Sequence, residues 1–285
     1  MFKNKTILIT GGTGSLGTAL SKYLLTQDTK KIIIFSRGWL AQKNLRDELG
    51  NPSNFRWFIG DIRDRDRLNR ALRGVDILLH AAAIKCIDAC NYNPSEAMLT
   101  NVVGAQNAID AAIEQKVNKC LFISTDKAVN AINTYGKTKA LAESLWINAN
   151  KYSADDRIKF SVCRYGNVVG SAGSVVPVFL KLIEQGTTEL PITDERMTRF
   201  WFPMQSAIDF VCDSLGKMQG GEIFIPRIPS IRIVDLAKAF DMPYKIVGIR
   251  EGEKLHEELE PGYDSGSNPH FLTVEQIKQT IGAIS

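Results

Sequence analysis

The sequence predicts an α/β fold, a doubly wound parallel sheet followed by a smaller C-terminal lobe. Three observations point there. Short β-branched runs alternate with helix-like stretches through the first two thirds of the chain. Those runs are continuously apolar rather than alternating, as expected of strands covered on both faces. A glycine-rich turn follows the first of them, where the backbone of such a fold approaches its ligand.

In order, "KTILIT" (5–10), "KIIIFS" (31–36), "FRWFIGDI" (55–62), "DILLHAAA" (76–83), "KCLFIST" (119–125) and "IKFSVCRYG" (158–166) read as strands. Helix-like segments are expected between them at about 15–26, 39–49, 64–72, 95–115 and 134–150. Strand, helix, strand, repeated, requires parallel pairing with right-handed crossovers. After Gly170 the texture changes. Pro177, Pro191, Pro203, Pro226 and Pro229 break the chain into shorter elements such as "VVPVFLKLIEQ", "GEIFIP" and "YKIVGI". This places a nucleotide-binding domain over residues 1–170. A mostly substrate-binding lobe, interleaved with it, covers 171–285.

Composition bounds the function. The chain of 285 residues is 44% hydrophobic and 23% charged, which suits one large globular domain or one with an appendage. The net charge of +4 is too small to indicate a nucleic-acid partner. No apolar run reaches the ~20 residues of a membrane span, and the N-terminal segment does not read as a signal peptide. Cysteines at 86, 90, 120, 163 and 212 are odd in number and irregular in spacing. They fit reduced thiols in a cytoplasmic protein. A zinc site near Cys86 and Cys90 lacks a second ligand pair, so no metal is expected.

Gly11, Gly14 and Gly17 in "ILITGGTGSLGTAL" form G-x-x-G-x-x-G between the first strand and its helix. Glycines there let the backbone approach a pyrophosphate at a helix N-terminus, so Gly11, Thr13, Gly14, Ser15, Leu16 and Gly17 are the expected cradle. The second strand ends on Ser36 and Arg37 where an acid would select NAD. A hydroxyl and a cation suit the 2′-phosphate of NADP. The alternative, that Arg37 is a solvated charge at a loop start, stays open. Asp61 and Ile62 are placed near the adenine, and Ala81, Ala82 and Ala83 where a cofactor must pass closely.

Tyr135 and Lys139 lie at i and i+4, on one face of a helix. A lysine ammonium beside a phenol favours the phenolate, a base able to take a proton from a sugar hydroxyl. Thr125, at the end of the preceding strand, can bond the same hydroxyl. A Tyr–Lys pair alone is usually packing. The preceding glycine loop and fifth strand change that reading.

With this order of motifs the chain resembles the extended short-chain dehydrogenases/reductases of Rossmann fold. Within them, "STDK" (124–127) is informative. Nucleotide-sugar 4,6-dehydratases carry Thr-Asp-Glu there, the Asp protonating the leaving C6 hydroxyl and the Glu taking the C5 proton. Asp126 keeps the acid position and Lys127 replaces the Glu. The swap resembles the inverting UDP-N-acetylglucosamine 4,6-dehydratases, which open the route to pseudaminic acid in polysaccharide biosynthesis. "NPSEAMLTNVVGAQNAIDAA", "RYGNVVGSAGSVVP", "LPITDERMTRFW" and "GIREGEKLHE" agree, so the resemblance spans residue 3 to about 259. A dehydratase–epimerase branch carries Met in place of the tyrosine, and Tyr135 argues against it.

The resemblance implies a redox-neutral lyase using NADP. Asp126, Lys127, Tyr135, Thr125 and Lys139 would be catalytic, and Tyr135, Lys139 and Lys85 would also touch the cofactor. Lys85, Asn167, Arg199, Arg250 and Glu253 would hold a UDP-sugar, with Asn167 and Arg199 on the pyrophosphate and Arg250 and Glu253 on uridine or ribose. A homo-oligomer is implied, with no membrane or nucleic-acid partner. Lys127 must be neutral to act as a base, which burial and the nearby Lys139 charge would favour. Two departures stand out. The family's Lys-His-Val-Pro becomes Lys85-Cys86-Ile87-Asp88, and a C-terminal segment common in relatives is missing. The alternatives are a retaining dehydratase or an epimerase on another UDP-sugar, or an NADP-binding regulatory protein without turnover.

Overall fold

A computed structural model describes residues 1–282. Its main sheet has seven strands. They are β1 (Thr6–Thr10), β2 (Lys31–Ser36), β3 (Phe55–Ile59), β4 (Ile77–His80), β5 (Lys119–Thr125), β6 (Lys159–Tyr165) and the late strand Ile223–Phe224. In space they run late strand, β6, β5, β4, β1, β2, β3, all parallel. The order reverses between β1 and β4, and ligands of such sheets bind outside the strand ends at that switch.

The continuous apolar runs have a plain cause. Ile7, Ile9, Ile32, Ile34, Leu79 and Leu121 face one buried layer. Their neighbours Leu8, Ile33, Leu78, Cys120 and Phe122 face the other. With both faces covered, no position along β1 can be polar at low cost unless it is hydrogen-bonded, as Thr10 is to His80.

The crossovers are α1 (Ser15–Leu25), α2 (Trp39–Glu48), α3 (Arg65–Ala71), α4 (Ile87–Tyr92), α5 (Pro94–Met98), α6 (Gly104–Glu114) and α7 (Thr134–Tyr152). The single helix expected over 95–115 is interrupted: a π-helical turn, Leu99–Val103, separates α5 from α6. β3 and β4 are shorter than expected, because "GDI" and "AAA" leave the sheet as the loops that line its C-terminal edge.

Of the rest of the chain, the helix Met204–Lys217 packs against α1, with Ala207, Val211 and Leu215 in the sheet's own core, and most of the remainder packs beyond that edge. Thr198–Phe202 pairs with Asn167–Val168 and with Ser230–Arg232, and Glu258–Glu260 forms a hairpin with Tyr263–Asp264. Val169, Phe179, Trp201, Ile231, Leu236 and Ile277 belong to a separate apolar core here. The chain returns to the main sheet at Ile223–Phe224. No helix among the described residues is long and apolar enough to cross a membrane.

Candidate active site

The glycine loop packs so tightly that its residues are dictated. Gly11 has a φ of +65°, and a Cβ on it would lie 2.9 Å from the Ala82 backbone. A Cβ on Gly17 would lie 2.6 Å from the Gly11 carbonyl oxygen, so α1 could not seat against the loop. Gly14 caps α1, leaving that helix's first N–H groups without a side-chain partner. Beside the loop is a cavity of about 230 Å³, whose lining includes Gly11, Thr13, Ser36, Arg37, Asp61, Ile62, Ala82 and Ala83. These residues fit a dinucleotide: bare backbone for a pyrophosphate, a hydroxyl and a cation for a ribose or its phosphate. Ser15 instead accepts a hydrogen bond from the Ala172 N–H at 2.9 Å, and Leu16 packs on the core.

Arg37 is exposed and stands 3.9 Å from Asp61. Partial burial opposes the Asp61 charge, but hydrogen bonds from Arg63, helped by Arg37, hold its carboxyl below the usual range. Ser36 Oγ accepts from the buried Gln42 amide at 3.0 Å.

The second half of the site begins where β5 ends. Thr125 caps a short 3₁₀ turn, Asp126–Ala128, its hydroxyl accepting from the Lys127 N–H at 3.3 Å and donating to Asp126 Oδ1 at 2.9 Å. α7 starts against this turn, with Asn133 as its cap. A Cβ on Gly136 would lie 2.1 Å from the Lys127 carbonyl oxygen. Only glycine lets turn and helix meet so closely, and this contact puts Tyr135 beside Thr125 and Lys127.

The electrostatics differ from the sequence expectation in two ways. The surroundings of Lys127 favour its charged form. Burial works against its charge, but the Asp126 and Glu257 carboxylates outweigh burial and raise its pKa. Its Nζ is 3.1 Å from Asp126 Oδ1, 3.1 Å from Glu257 Oε1 and 3.5 Å from Asn167 Oδ1. The cation that opposes burial at the phenol is Lys127, and Lys139 is engaged elsewhere. Its Nζ donates to the Ile123 carbonyl at 2.6 Å and lies 3.8 Å over the Phe122 ring centre, and burial pulls its pKa down to about 7. Burial pushes the Tyr135 phenol up to about 12, and the Lys127 charge and a Thr125 hydrogen bond oppose that rise.

Asp126 is fully buried. Burial raises its pKa, the Lys127 charge pulls it back, and the Glu257 charge adds to the rise. A buried carboxyl of raised pKa suits a proton donor. Its Oδ2 has no hydrogen-bond partner among the described residues.

Sequence reasoning missed two site residues. Glu257 comes from the C-terminal lobe, in a charged stretch that reads as solvated, yet it is 2% exposed. Asn101 lies in the π-helical turn. Its side chain bonds both the N–H and the carbonyl of Ile84, and donates to Thr138 at 3.0 Å. It ties the loop after β4 to α7, one turn from Tyr135. A polar residue inside an apolar helical pattern was the available signal.

Of the residues expected to hold a nucleotide, Asn167 and the half-buried Arg199 stand at the Lys127 cluster, and the Arg199 charge acts on both Lys127 and Glu257. Lys85 reaches solvent. The surrounding walls, and the Lys127 charge, still lower its pKa. Arg250 and Glu253 share a separate turn, joined by the Glu253 N–H to Arg250 carbonyl bond at 3.1 Å. That turn is held to the start of α7 by the Asn133 amide, which donates to the Gly252 carbonyl at 2.8 Å.

A glycine cradle at the switch point, with Tyr-x-x-x-Lys on the helix after β5, makes the molecule an extended short-chain dehydrogenase/reductase. Residues 7–278 match the model of the polysaccharide biosynthesis protein family, and the chain belongs to that family. It is 52% identical over 284 residues to a UDP-N-acetylglucosamine 4,6-dehydratase (inverting) of Campylobacter jejuni, covering 99% of this chain and 85% of that one. It is 42% identical over 269 residues to a UDP-glucose 4-epimerase of Rickettsia akari, covering 91% and 78%. Among solved structures, Pen from Bacillus thuringiensis superposes with a TM-score of 0.93 at 33% identity, covering 99% of this chain and 98% of that one.

Proposed function

We propose that the protein is an NADP-dependent hydro-lyase converting UDP-N-acetylglucosamine, with inversion at C5, to UDP-2-acetamido-2,6-dideoxy-β-L-arabino-hexos-4-ulose. The observation that carries this reading is the Thr125-Asp126-Lys127 turn pressed against Tyr135 by Gly136. A raised carboxylic acid, a lysine and a phenol converge on one small volume. The similarity to the Campylobacter dehydratase supports the substrate. Residues 1–170 serve the cofactor, and 171–285, interleaved with them, mostly serve the sugar nucleotide. Ser36 and Arg37 support NADP over NAD.

NADP, which the glycine loop, Ser36 and Arg37 would hold, would supply a hydride acceptor for C4 and a hydride donor for C6. The remaining work belongs to the chain. Tyr135 takes the C4 hydroxyl proton, assisted by the Thr125 hydroxyl and the Lys127 charge, while Lys139 steadies the ribose side. The resulting 4-keto group acidifies C5–H, and Lys127 removes that proton. Asp126 protonates the departing C6 hydroxyl. Reprotonation of C5 on the opposite face inverts it. Asn167 and Arg199 hold the pyrophosphate, Arg250 and Glu253 the uridine or ribose, and Lys85 lies between cofactor and sugar. Arginine suits bidentate phosphate recognition.

The epimerase-named relatives favour a second reading, inversion at C4 without water loss. A 4-epimerase has no use for an acid aimed at a C6 hydroxyl, so buried Asp126 favours dehydration. Incubation with UDP-N-acetylglucosamine and NADP decides between them. A product lighter by one water supports the dehydratase. A product of unchanged mass supports the epimerase, and no product at all supports a regulatory protein.

A further inference from the structure

The paired state of Lys127 poses a chemical problem. An ammonium cannot accept the C5 proton, and the Glu257 carboxylate beside Nζ favours that form. A group within reach must first take a proton from it. Asp126 is unsuited, because its part in the reaction is to donate. Glu257 meets the requirements. Its Oε1 is 3.1 Å from Lys127 Nζ, and the residue is 2% exposed. Its Oε2 has no hydrogen-bond partner among the described residues.

The main chain that carries this carboxylate is also firmly placed. The Glu257 N–H donates to Ser265 Oγ at 3.0 Å, and the Ser265 N–H returns a bond to the Glu257 carbonyl at 2.8 Å. Ser265 Oγ is 2.7 Å from Thr198 Oγ1, which in turn bonds His256 Nδ1 at 2.8 Å. Lys254 lies 4.0 Å from Oε2. Such a frame fits a group that must keep its geometry through proton transfer.

We propose that Glu257 is the proton acceptor for Lys127, so that the base acting on C5 is a lysine–glutamate pair rather than a lysine alone. The inference rests on the dehydratase reading. Its protons balance. Lys127 passes one proton to Glu257 and becomes an amine, which then takes the C5 proton. Asp126 gives its proton to the C6 hydroxyl as the C6–O bond breaks and water leaves. The Glu257 proton returns through Lys127 to Asp126, since Nζ touches both carboxylates. Each group ends as it began. The new C5 proton is matched by the one Tyr135 took from the C4 hydroxyl. The lysine thus depends on a carboxylate to free its amine for the C5 proton. That carboxylate is contributed from the C-terminal lobe.

The test uses Glu257→Gln and Glu257→Asp with UDP-N-acetylglucosamine and NADP. Two steps are followed separately: C4 oxidation by reduced-nicotinamide absorbance, and C5 exchange by deuterium uptake in D₂O. In Glu257→Gln, C4 oxidation should persist while C5 exchange and water loss fall about 10²-fold, the scale of general acid–base catalysis. The remaining rate should climb with pH, because Lys127 must then lose its proton to solvent. Glu257→Asp should recover part of the loss. Wild-type C5 exchange in Glu257→Gln would overturn the proposal. So would equal loss of both steps without pH dependence, since that is what a purely structural ion pair gives. A wild-type protein that removes no water from the substrate would overturn the dehydratase reading itself, and this proposal with it.

Discussion

Burial sets the character of single groups in this molecule. His80 lies wholly inside, stacked 5.6 Å from Phe122 and 5.2 Å from Trp146, with Nδ1 bonded to Thr10 Oγ1 at 2.9 Å. Its Nε2 has no partner among the described residues, so a second proton would be buried unpaired. Burial, with the Lys139 charge, lowers its pKa from 6.5 to about 3. The folded value lies below the unfolded one, so the unfolded chain binds the extra proton. The stability that goes with neutral His80 is present above pH 6.5 and lost as pH falls toward 3. At about 1.4 kcal/mol per unit, the loss is on the order of 3 kcal/mol by pH 4. A His80→Gln variant removes this titration. Its melting temperature should start below wild type at pH 7 and converge with it by pH 4. A gap that stays constant across that range would show that His80 does not titrate in this way.

At the scale of elements, one glycine sets the distance between the 3₁₀ turn and α7. Alanine is ordinarily the better helix residue by about 1 kcal/mol. At position 136 that preference should reverse, because the new methyl meets a backbone oxygen that cannot move alone. Overpacking of this kind costs about 1–3 kcal/mol. Gly136→Ala should lower the melting temperature and slow water loss together, since relief of the clash moves Lys127 away from Tyr135. A variant as stable as wild type would mean that the turn is not pinned.

The same scale shows what was legible in the sequence. β1, β2 and β5 could be read because both faces of each are buried, so every position is constrained. Gly11 and Gly17 could be read because close backbone approach excludes other residues. The π-helical turn could not, since its apolar pattern continues that of α5 and α6. Nor could Glu257. Its partner is distant in sequence, and nothing in "GEKLHEELEP" marks one glutamate as buried. The charge balance at Lys127 is hidden for the same reason: burial and Lys139 are visible in the sequence, and the second carboxylate is not.

For the whole molecule, residues of the sheet edge and of the C-terminal lobe meet at the proposed site. The sheet supplies the glycine cradle, Asp126, Lys127 and Tyr135. The lobe supplies Glu257 and Arg199 across the cleft, while Arg164 binds Glu143 of α7 and the Leu259 carbonyl of the hairpin, fastening the two together. Lys127, paired with Glu257 from the other lobe, is the central feature. The most direct test is an NMR time course of the wild-type protein with UDP-N-acetylglucosamine and NADP in D₂O. The expected result is a 4-keto-6-deoxy product carrying deuterium at C5 in the L-arabino configuration. A product that keeps the D-xylo configuration at C5, or carries no deuterium there, would contradict it.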